Sequence, residues 1–404
     1  MTTHAAAATV RKFVGRLADE LTVLGLPVGE STATAPAVEA PWRELARELA
    51  AHGATFRDVT TETLLVRDVR RELPAVLEAR RRVLAGLGQL DAAPRPSFIG
   101  EAPAQDGLPF HVLATALIPH RRGGWSVEDV PAAAACDCDE CGRTGARIVR
   151  LGGGTSLHTT NLYGGGADAY AQTLDAFRAA ERLLVRHGLE FRDIVRTWIH
   201  LRDIDRDYDA LNRARREFFE DRGVTRSPAS TGVQGTPLPD GHHVSLRLMA
   251  TRPAYVTVVS APTLNEAWSY GSDFSRGLRV TDSTQVTLHV SGTASIDEAG
   301  RTVHAGDVTA QAERMLHNIA ALLAGQGAGF GDVASAITYL KHPADAAAVR
   351  AVFARHGFQG FPCSVVEAPL CRPELLCETE AVCVLSLPAQ KRGGGSETGR
   401  HEFR

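Results

Sequence analysis

Near its middle the chain reads His187-Gly188-Leu189-Glu190-Phe191-Arg192-Asp193-Ile194, and this stretch recurs twice. The earlier copy is His52-Gly53-Ala54-Thr55-Phe56-Arg57-Asp58-Val59, and the later copy is Gln326-Gly327-Ala328-Gly329-Phe330-Gly331-Asp332-Val333. The aspartates of successive copies lie 135 and 139 residues apart. Recurrence at a nearly constant interval indicates three tandem copies of one folding unit.

Each copy has the same predicted surroundings. It follows an Ala/Leu-rich helix, ends that helix at a glycine and leads into a strand. A second helix, a strand that begins at a proline and a closing strand come next, so each unit is predicted to be α+β. The first strands are 63–67, 197–202 and 336–341, the second helices are 72–87, 208–221 and 345–356, and the prolines are Pro96, Pro228 and Pro362.

The three copies are predicted to begin differently. Copies two and three start with a strand pair, at residues 146–160 and 279–291. Residues 5–25 have helical periodicity, so copy one is predicted to carry an N-terminal helix in place of that hairpin.

Composition restricts the function. The 404 residues carry a net charge of −3 and no strongly basic region, which argues against nucleic-acid binding. No run of about 18 apolar residues occurs, so no membrane span is predicted. The N-terminus lacks the apolar core of a signal peptide, and the seven cysteines suit a reducing compartment; both favour a cytoplasmic protein.

The last predicted strand carries two carboxylates in an apolar run. From Leu375 to Leu387 the only charges are Glu378 and Glu380. A buried carboxyl group tends to remain protonated, so Glu378 is a candidate general acid. The alternative is that one glutamate faces solvent and the other pairs with an arginine.

Several motifs resemble the chorismatases, which are fused proteins of the Rid/YjgF (chorismate-mutase-like) fold. These motifs are Arg196-Thr197-Trp198-Ile199-His200, the segment from Tyr208 to Arg215, Arg226-Ser227-Pro228, Ser291-Gly292-Thr293-Ala294-Ser295, and Cys371-Arg372 followed by Glu378. The resemblance implies mixed sheets backed by helices in a pseudo-trimeric arrangement within one chain, and it leaves further association of chains open.

On this basis the chain divides into five segments. They are a degenerate Rid-like unit (1–120), a Cys-rich connector loop (121–145), a second unit (146–253), a third unit with the site (254–388) and a disordered tail (389–404).

The resemblance assigns roles to particular residues. Glu378 matches the acid that protonates the enolpyruvyl side chain of chorismate. Gly292 and Cys371 match the positions that separate the product branches, and their combination resembles the branch that forms 3-hydroxybenzoate. For Cys371 the alternative is a packed apolar side chain, and for Gly292 it is a backbone requirement.

Chorismate is a dianion, so arginines are expected to hold its carboxylates. Trp268, Tyr270 and Phe274 form an aromatic loop that could contact the substrate ring or pack at an interface. Ser291 is a further predicted binding residue. The preferred arginines are Arg196 and Arg355, and the other candidates are Arg202, Arg226, Arg276 and Arg372.

Two features concern other chemistries. Rid imine deaminases place an arginine after the proline of the fifth strand, and no copy has one there, which disfavours imine deamination. Cys136, Cys138 and Cys141 offer three thiolates within six residues, a candidate Zn or Cu site, although chorismatase chemistry requires no cofactor.

The sequence therefore predicts an enzyme that converts chorismate to pyruvate and 3-hydroxybenzoate, or to a dihydroxy-cyclohexadiene acid, in secondary metabolism. Two alternatives stay open. One is a related metal-dependent enzyme acting on another aromatic or cyclic acid, and the other is a non-catalytic Rid-like binding protein.

Overall fold

The computed structural model of the protein describes residues 8–27, 35–104, 108–131 and 145–387. These residues form three mixed β-sheets, each backed by two helices. The predicted α+β fold of three tandem units is confirmed.

The recurring stretch makes the same turn in each unit. Gly53, Gly188 and Gly327 end a helix with φ of 68°, 75° and 70°, a backbone conformation that favours glycine. The aspartate five residues later caps a short 3-10 turn: its carboxylate accepts the amide three residues before it, at 2.7–2.9 Å in the three copies. The glycine and the aspartate recur because this turn requires both.

The first unit begins with a strand hairpin, so the predicted N-terminal helix is wrong. β1 alternates between more and less exposed residues, as a strand does, and it pairs antiparallel with β2. β2 is almost wholly buried towards its end, which hides its two-residue period. The elements of this unit are β1 (Ala8–Val14), β2 (Ala18–Gly25), α1 (Ala35–Ala51), β3 (Val59–Val66), α2 (Leu73–Gly86), β4 (Ser97–Gly100) and β5 (Phe110–Pro119).

The second unit begins within the predicted connector. Trp125–Pro131 is a strand, β6, because it pairs antiparallel with β7 along its whole length. The hairpin predicted at 146–160 is formed by β7 and β8. The elements are β6, β7 (Gly145–Leu151), β8 (Gly154–Thr159), α3 (Ala169–Arg186), β9 (Ile194–Leu201), α4 (Ile204–Asp221), β10 (Ala229–Gln234) and β11 (Val244–Arg252).

The third unit repeats this order. Its elements are β12 (Tyr255–Val259), β13 (Gly277–Thr281), β14 (Val286–Ala294), α5 (Val308–Ala324), β15 (Val333–Leu340), α6 (Ala346–His356), β16 (Cys363–Glu367) and β17 (Cys377–Leu385).

The sheets share one topology, in which the closing strand is central. The orders are β1-β2-β5-β3-β4, β6-β7-β8-β11-β9-β10 and β12-β13-β14-β17-β15-β16. The last two strands of each order run parallel, and the other pairs are antiparallel.

Each unit has its own helix-on-sheet core, and a further apolar cluster joins the three. This shared cluster contains Ile99 of β4, Val233 of β10 and Val366 of β16, all buried. The shared cluster fits the predicted pseudo-trimeric arrangement, and it places clefts between units within a single chain.

Two predictions fall outside the described residues: the Cys136, Cys138 and Cys141 cluster and the tail after residue 387. Among the helices that the structure describes, none combines the length and apolar character needed to cross a bilayer.

Candidate active site

A cavity of about 610 Å³ lies between the second and third units. The second unit contributes one face of α4 and two residues of β10. The third unit contributes the loop before β13, the end of β14, the segment before β17 and the start of β17. The lining residues are Tyr208, Asp209, Leu211, Asn212, Arg213, Arg215, Arg216, Ser230, Gly232, Gly271, Ser272, Phe274, Arg276, Gly292, Ala294, Ile296, Cys371, Arg372, Leu375 and Glu378.

Glu378 is a buried acid in this cavity. It is the second residue of β17, paired with Ala294 on one side and Tyr339 on the other, and it is 6% exposed. Its carboxyl group makes no hydrogen bond to any residue that the structure describes. Burial, and secondarily the charge of Glu380, raises the pKa of Glu378 to about 7. Glu378 can therefore hold a proton near neutral pH and present it to the cavity.

Gly292 leaves room for that carboxyl group. It lies where the β14–β17 register shifts, at a β-bulge, and it lines the cavity. A Cβ on this residue would be 1.9 Å from Oε1 of Glu378. Its amide donates to Oγ1 of Thr231 at 3.0 Å, which fixes the bulge against β10. A side chain at position 292 and the observed position of Glu378 are mutually exclusive.

Cys371 lines the same cavity as a neutral thiol. Burial and the nearby Glu378 raise the pKa of Cys371 to about 12, while Tyr208 hydrogen bonds to its side chain. A thiolate nucleophile is therefore not favoured here. Cys371 contributes shape and weak polarity next to the acid.

The cavity is rich in arginine. Arg276 and Arg372 were candidates from the sequence, and both line it. Arg276 donates to the backbone oxygen of Asn265 at 2.8 Å, and Arg372 donates to that of Gly300 at 2.7 Å, so both guanidinium groups are anchored. Three further arginines of α4 line the cavity: Arg213, Arg215 and Arg216. The lining therefore has five arginines and two carboxyl groups, those of Asp209 and Glu378. This excess of positive charge suits an anionic ligand.

Phe274 supplies the aromatic wall. Its ring centroid lies 5.4 Å from the guanidinium carbon of Arg276 and 5.8 Å from that of Arg215. Cation–π contacts of this kind hold a flat apolar face between charged groups. The arrangement could accept an unsaturated ring that carries carboxylates.

The structure places four of the predicted arginines away from the cavity. Arg202 donates to the backbone oxygens of His242 at 2.7 Å and Pro237 at 3.0 Å. Arg196 is 1% exposed and pairs with Glu380 at 2.8 Å. Arg355 is exposed and pairs with Glu313 at 2.8 Å. Arg226 donates to the backbone oxygens of Arg192, just before β9, and of Ile194, the first residue of β9. Each of these guanidinium groups binds another group of this chain, and none lines the cavity.

Trp268 and Ser291 also lie outside the lining. Trp268 is 68% exposed. Ser291 is fully buried and structural: its hydroxyl accepts the amide of Ser230 at 2.9 Å and donates to the backbone oxygen of Ser275 at 2.6 Å. The side chain of Tyr270 is outside what the structure describes.

Sequence reasoning did not select Tyr208, Arg213, Arg215 or Arg216 as site residues. Their signal was present, because most of this run belongs to a motif on which the resemblance rests. Helical spacing places Tyr208, Leu211, Asn212 and Arg215 on one face of α4. Arg213 and Arg216 also line the cavity but are exposed, so spacing alone does not select them.

The residues equivalent to Glu378 at the other two interfaces are hydrogen-bonded to protein side chains. Glu378 is the second residue of its closing strand, and the equivalent residues are His111 of β5 and Ser245 of β11. His111 is buried, and its Nδ1 is hydrogen-bonded to Oγ of Ser364 at 2.7 Å. Asn161 fills the other position, donating to Ser245 at 2.9 Å and bonding to the backbone of Phe98. Among the described residues, only the third unit places a carboxyl group at this point.

Glu380 has a different environment from Glu378. It lines a separate cavity of about 190 Å³ where the three sheets meet. Its carboxylate accepts hydrogen bonds from Arg196, Trp198 and Tyr339. Of the two glutamates, Glu380 is therefore the one that pairs with an arginine, as the alternative interpretation of the sequence proposed for one of them.

No group of three or more potential metal ligands occurs within residues 8–27, 35–104, 108–131 and 145–387. The four cysteines in these ranges, Cys363, Cys371, Cys377 and Cys383, are free thiols. The proposed Zn or Cu site at Cys136, Cys138 and Cys141 stays a prediction.

Comparison with known proteins places this geometry in context. A solved structure of a chorismatase is similar over 81% of this chain and 93% of that chain, with 20% identity and a TM-score of 0.56. RidA from the Antarctic bacterium Psychrobacter sp. matches at 20% identity over 32% of this chain and 99% of its own, with a TM-score of 0.27. Yeast Mmf1 matches at 19% identity over 32% of this chain and 99% of its own, with a TM-score of 0.28.

The family itself is identified by sequence. The profile of the Endoribonuclease L-PSP family matches residues 144–252 and 272–385, which correspond to the second and third units and together exceed half of the chain. The chain therefore belongs to the Endoribonuclease L-PSP (Rid/YjgF) family.

Proposed function

We propose that this protein is a chorismatase that converts chorismate to 3-hydroxybenzoate and pyruvate. The observation that carries the proposal is Glu378, a buried carboxyl group without a hydrogen-bond partner among the described residues, which faces a cavity lined by five arginines. The fold similarity to a chorismatase agrees with this proposal.

The charge of the cavity supports a dianionic substrate. Arg276 and Arg372 lie on the third-unit side, and Arg213, Arg215 and Arg216 lie on the second-unit side. Two carboxylates on one substrate could therefore each meet a guanidinium group from a different unit. Phe274 would contact the ring between them.

The proposed chemistry begins with proton transfer from Glu378. The acid protonates the methylene carbon of the enolpyruvyl group, and the adjacent carbon becomes an oxocarbenium-like centre. Attack of water on that centre gives a hemiketal, which collapses to pyruvate and the dihydroxy-cyclohexadiene acid. Attack of the neighbouring ring hydroxyl instead gives a cyclic ketal. The bond from that oxygen to the ring then breaks, a ring proton is lost, and the ketal carbon expels the remaining ring oxygen, so that pyruvate leaves with the attacking oxygen and the ring becomes 3-hydroxybenzoate. A carboxyl group that remains protonated at neutral pH is a suitable donor for this step.

The two products differ in their use of water. Formation of 3-hydroxybenzoate and pyruvate consumes no net water, whereas formation of the dihydroxy-cyclohexadiene acid and pyruvate consumes one molecule. Gly292 and Cys371 both contact the space beside Glu378, and their combination resembles the 3-hydroxybenzoate branch. No cofactor takes part in the proposed reaction.

The test is incubation of the purified full-length protein with chorismate, followed by quantification of pyruvate and of the ring product. We expect pyruvate and 3-hydroxybenzoate in equal amounts. The diene acid with pyruvate would contradict the product branch alone. Absence of pyruvate would contradict the proposed function and favour a binding protein or another substrate.

A further inference from the structure

A buried ion pair joins the second and third units immediately beside Glu378. Glu380 follows Glu378 by two residues on β17, so both side chains lie on the same face of that strand. Glu380 accepts from Arg196 at 2.8 Å and from Trp198 at 2.6 Å, both on β9, and from Tyr339 on β15 at 3.1 Å. These three donors fix the position of the Glu380 carboxyl group.

The same arginine reaches the bulge at Gly292. Nη2 of Arg196 also donates to Oγ1 of Thr231 at 2.6 Å, and that oxygen accepts the amide of Gly292 at 3.0 Å. Gly292 is the residue whose missing side chain leaves room for the Glu378 carboxyl group. Arg196 is thus connected to Glu378 by two routes, one through the charge of Glu380 and one through Thr231 and the backbone at 292.

We propose that Arg196 and Glu380 act as a pair of positioning residues for Glu378, holding its carboxyl group in place. This role rests on the proposed function, because it concerns the acid of that reaction. Neither residue lines the cavity of Glu378, so neither is assigned contact with substrate.

The charges around Glu378 act in opposite directions. Glu380 on the same strand raises the pKa of Glu378, whereas Arg276 before β13, Arg196 of β9 and Arg372 before β17 lower it. Helix α4 brings Asp209, Arg213, Arg215 and Arg216 to the same cavity. Two nearby thiols are held neutral, since burial raises the pKa values of Cys371 and Cys377 to about 12. Among the charged groups that change the pKa of Glu378, Glu380 is the only carboxylate.

The direct test is a titration of Glu378 in the substrate-free, full-length protein. Glutamates labelled with ¹³C at the carboxyl carbon can be followed by infrared spectroscopy or NMR, and the signal missing from Glu378→Gln identifies the residue. We expect Glu380→Gln to lower the midpoint by about one to two pH units, from the attraction between charges some 7 Å apart in a partly polar interior. Arg196→Gln should raise the midpoint, and the double variant should lie between the two.

A matched control is available in the first unit. Glu62 is a buried carboxylate held by Trp42 at 2.7 Å and by Arg80 at 2.7 Å, an arrangement close to that of Glu380. Glu62→Gln should leave the Glu378 midpoint unchanged. If either single variant does not fold, kcat of the double variant still decides, because the double variant removes both charges and leaves no unpaired buried charge. A kcat equal to that of the wild type would overturn the positioning role.

Kinetics provide a second readout. Arg196→Gln and Glu380→Gln should reduce kcat at least tenfold at pH 7 with KM changed less than threefold, because both act through Glu378. A Glu378 midpoint unchanged by Glu380→Gln, or a rise in KM with kcat unchanged, would overturn the positioning role. Failure of the wild type to form pyruvate would instead overturn the proposed function, a result that the substrate-free titration keeps separate.

Discussion

Gly292 and Glu378 occupy the same space from two adjacent strands. A Cβ at position 292 would approach Oε1 of Glu378 to 1.9 Å, far inside van der Waals contact. The bulge in β14 and the buried acid on β17 therefore form one structural feature. The consequences of this relationship can be tested one residue at a time.

Gly292→Ala should reduce pyruvate formation about 100-fold while the fold is kept. The added methyl group forces the Glu378 carboxyl group to move, and an acid displaced by about 1 Å can lose about 100-fold in rate. The measurement is kcat for pyruvate release, with circular dichroism to confirm folding. Gly86→Ala is the control, because a Cβ at Gly86 in α2 meets no atom within 4 Å. Full activity in Gly292→Ala would show that the carboxyl position is not critical.

The pH dependence of kcat/KM should follow the protonated form of Glu378. Its pKa is raised to about 7, so the acid is protonated below that pH and ionised above it. We expect kcat/KM to fall about tenfold per pH unit above pH 7. A rate that rises with pH through this range would indicate that Glu378 acts as a base.

The same shift predicts a pH-dependent stability difference. The pKa of Glu378 is about 7 when folded against 4.5 for the ordinary side chain, so its contribution is fully present below pH 4.5 and is lost as the pH rises through 7. Glu378→Gln avoids this loss. Relative to wild type, its unfolding free energy should improve by about 3 kcal/mol between pH 4.5 and pH 8. Urea unfolding at both pH values measures the difference, and an equal offset at the two values would argue against a buried, neutral Glu378.

Substrate binding should depend on the cavity arginines. Arg372→Gln removes a guanidinium group that lines the cavity, and we expect KM for chorismate to rise about 10- to 100-fold. Arg355→Gln is the control, since Arg355 lies outside the cavity and pairs with Glu313 on the surface. If the two variants change KM equally, the candidate cavity is not the substrate site.

Metal removal should leave the proposed reaction intact. The reaction uses side chains of the second and third units, and the Cys136, Cys138 and Cys141 cluster is not assigned a part in it. Dialysis against a chelator, or replacement of the three cysteines by serine, is expected to leave pyruvate release unchanged, while elemental analysis reports any bound Zn or Cu. Loss of activity that returns on adding back a metal would favour the metal-dependent alternative.

The sequence was informative where local chemistry repeats. The glycine that ends each helix and the aspartate that caps each 3-10 turn recur in all three units, and they revealed the architecture. The hairpin of β1 and β2 was missed because β2 is buried on both faces near its end, which removes the alternation typical of strands. Buried strands and amphipathic helices are easily confused in such segments.

The site was only partly predictable for a related reason. Glu378 could be selected because a carboxylate in an apolar strand is unusual within the sequence itself. Arg196 was expected to bind the substrate. Its partner in the structure, Glu380, is distant along the chain and meets it only across the interface between units, so the sequence gives no sign of this pair. Contacts that depend on the docking of two units leave no local pattern.

The central claim is that Glu378 supplies the proton for chorismate cleavage, and the most direct measurement compares pyruvate release by wild type and Glu378→Gln at pH 6.5. The substitution keeps the shape of the side chain and removes its acidic proton. We predict that kcat falls at least about 100-fold, the usual scale for loss of a general acid, while the variant stays folded. Pyruvate release by Glu378→Gln at the wild-type rate would contradict the account.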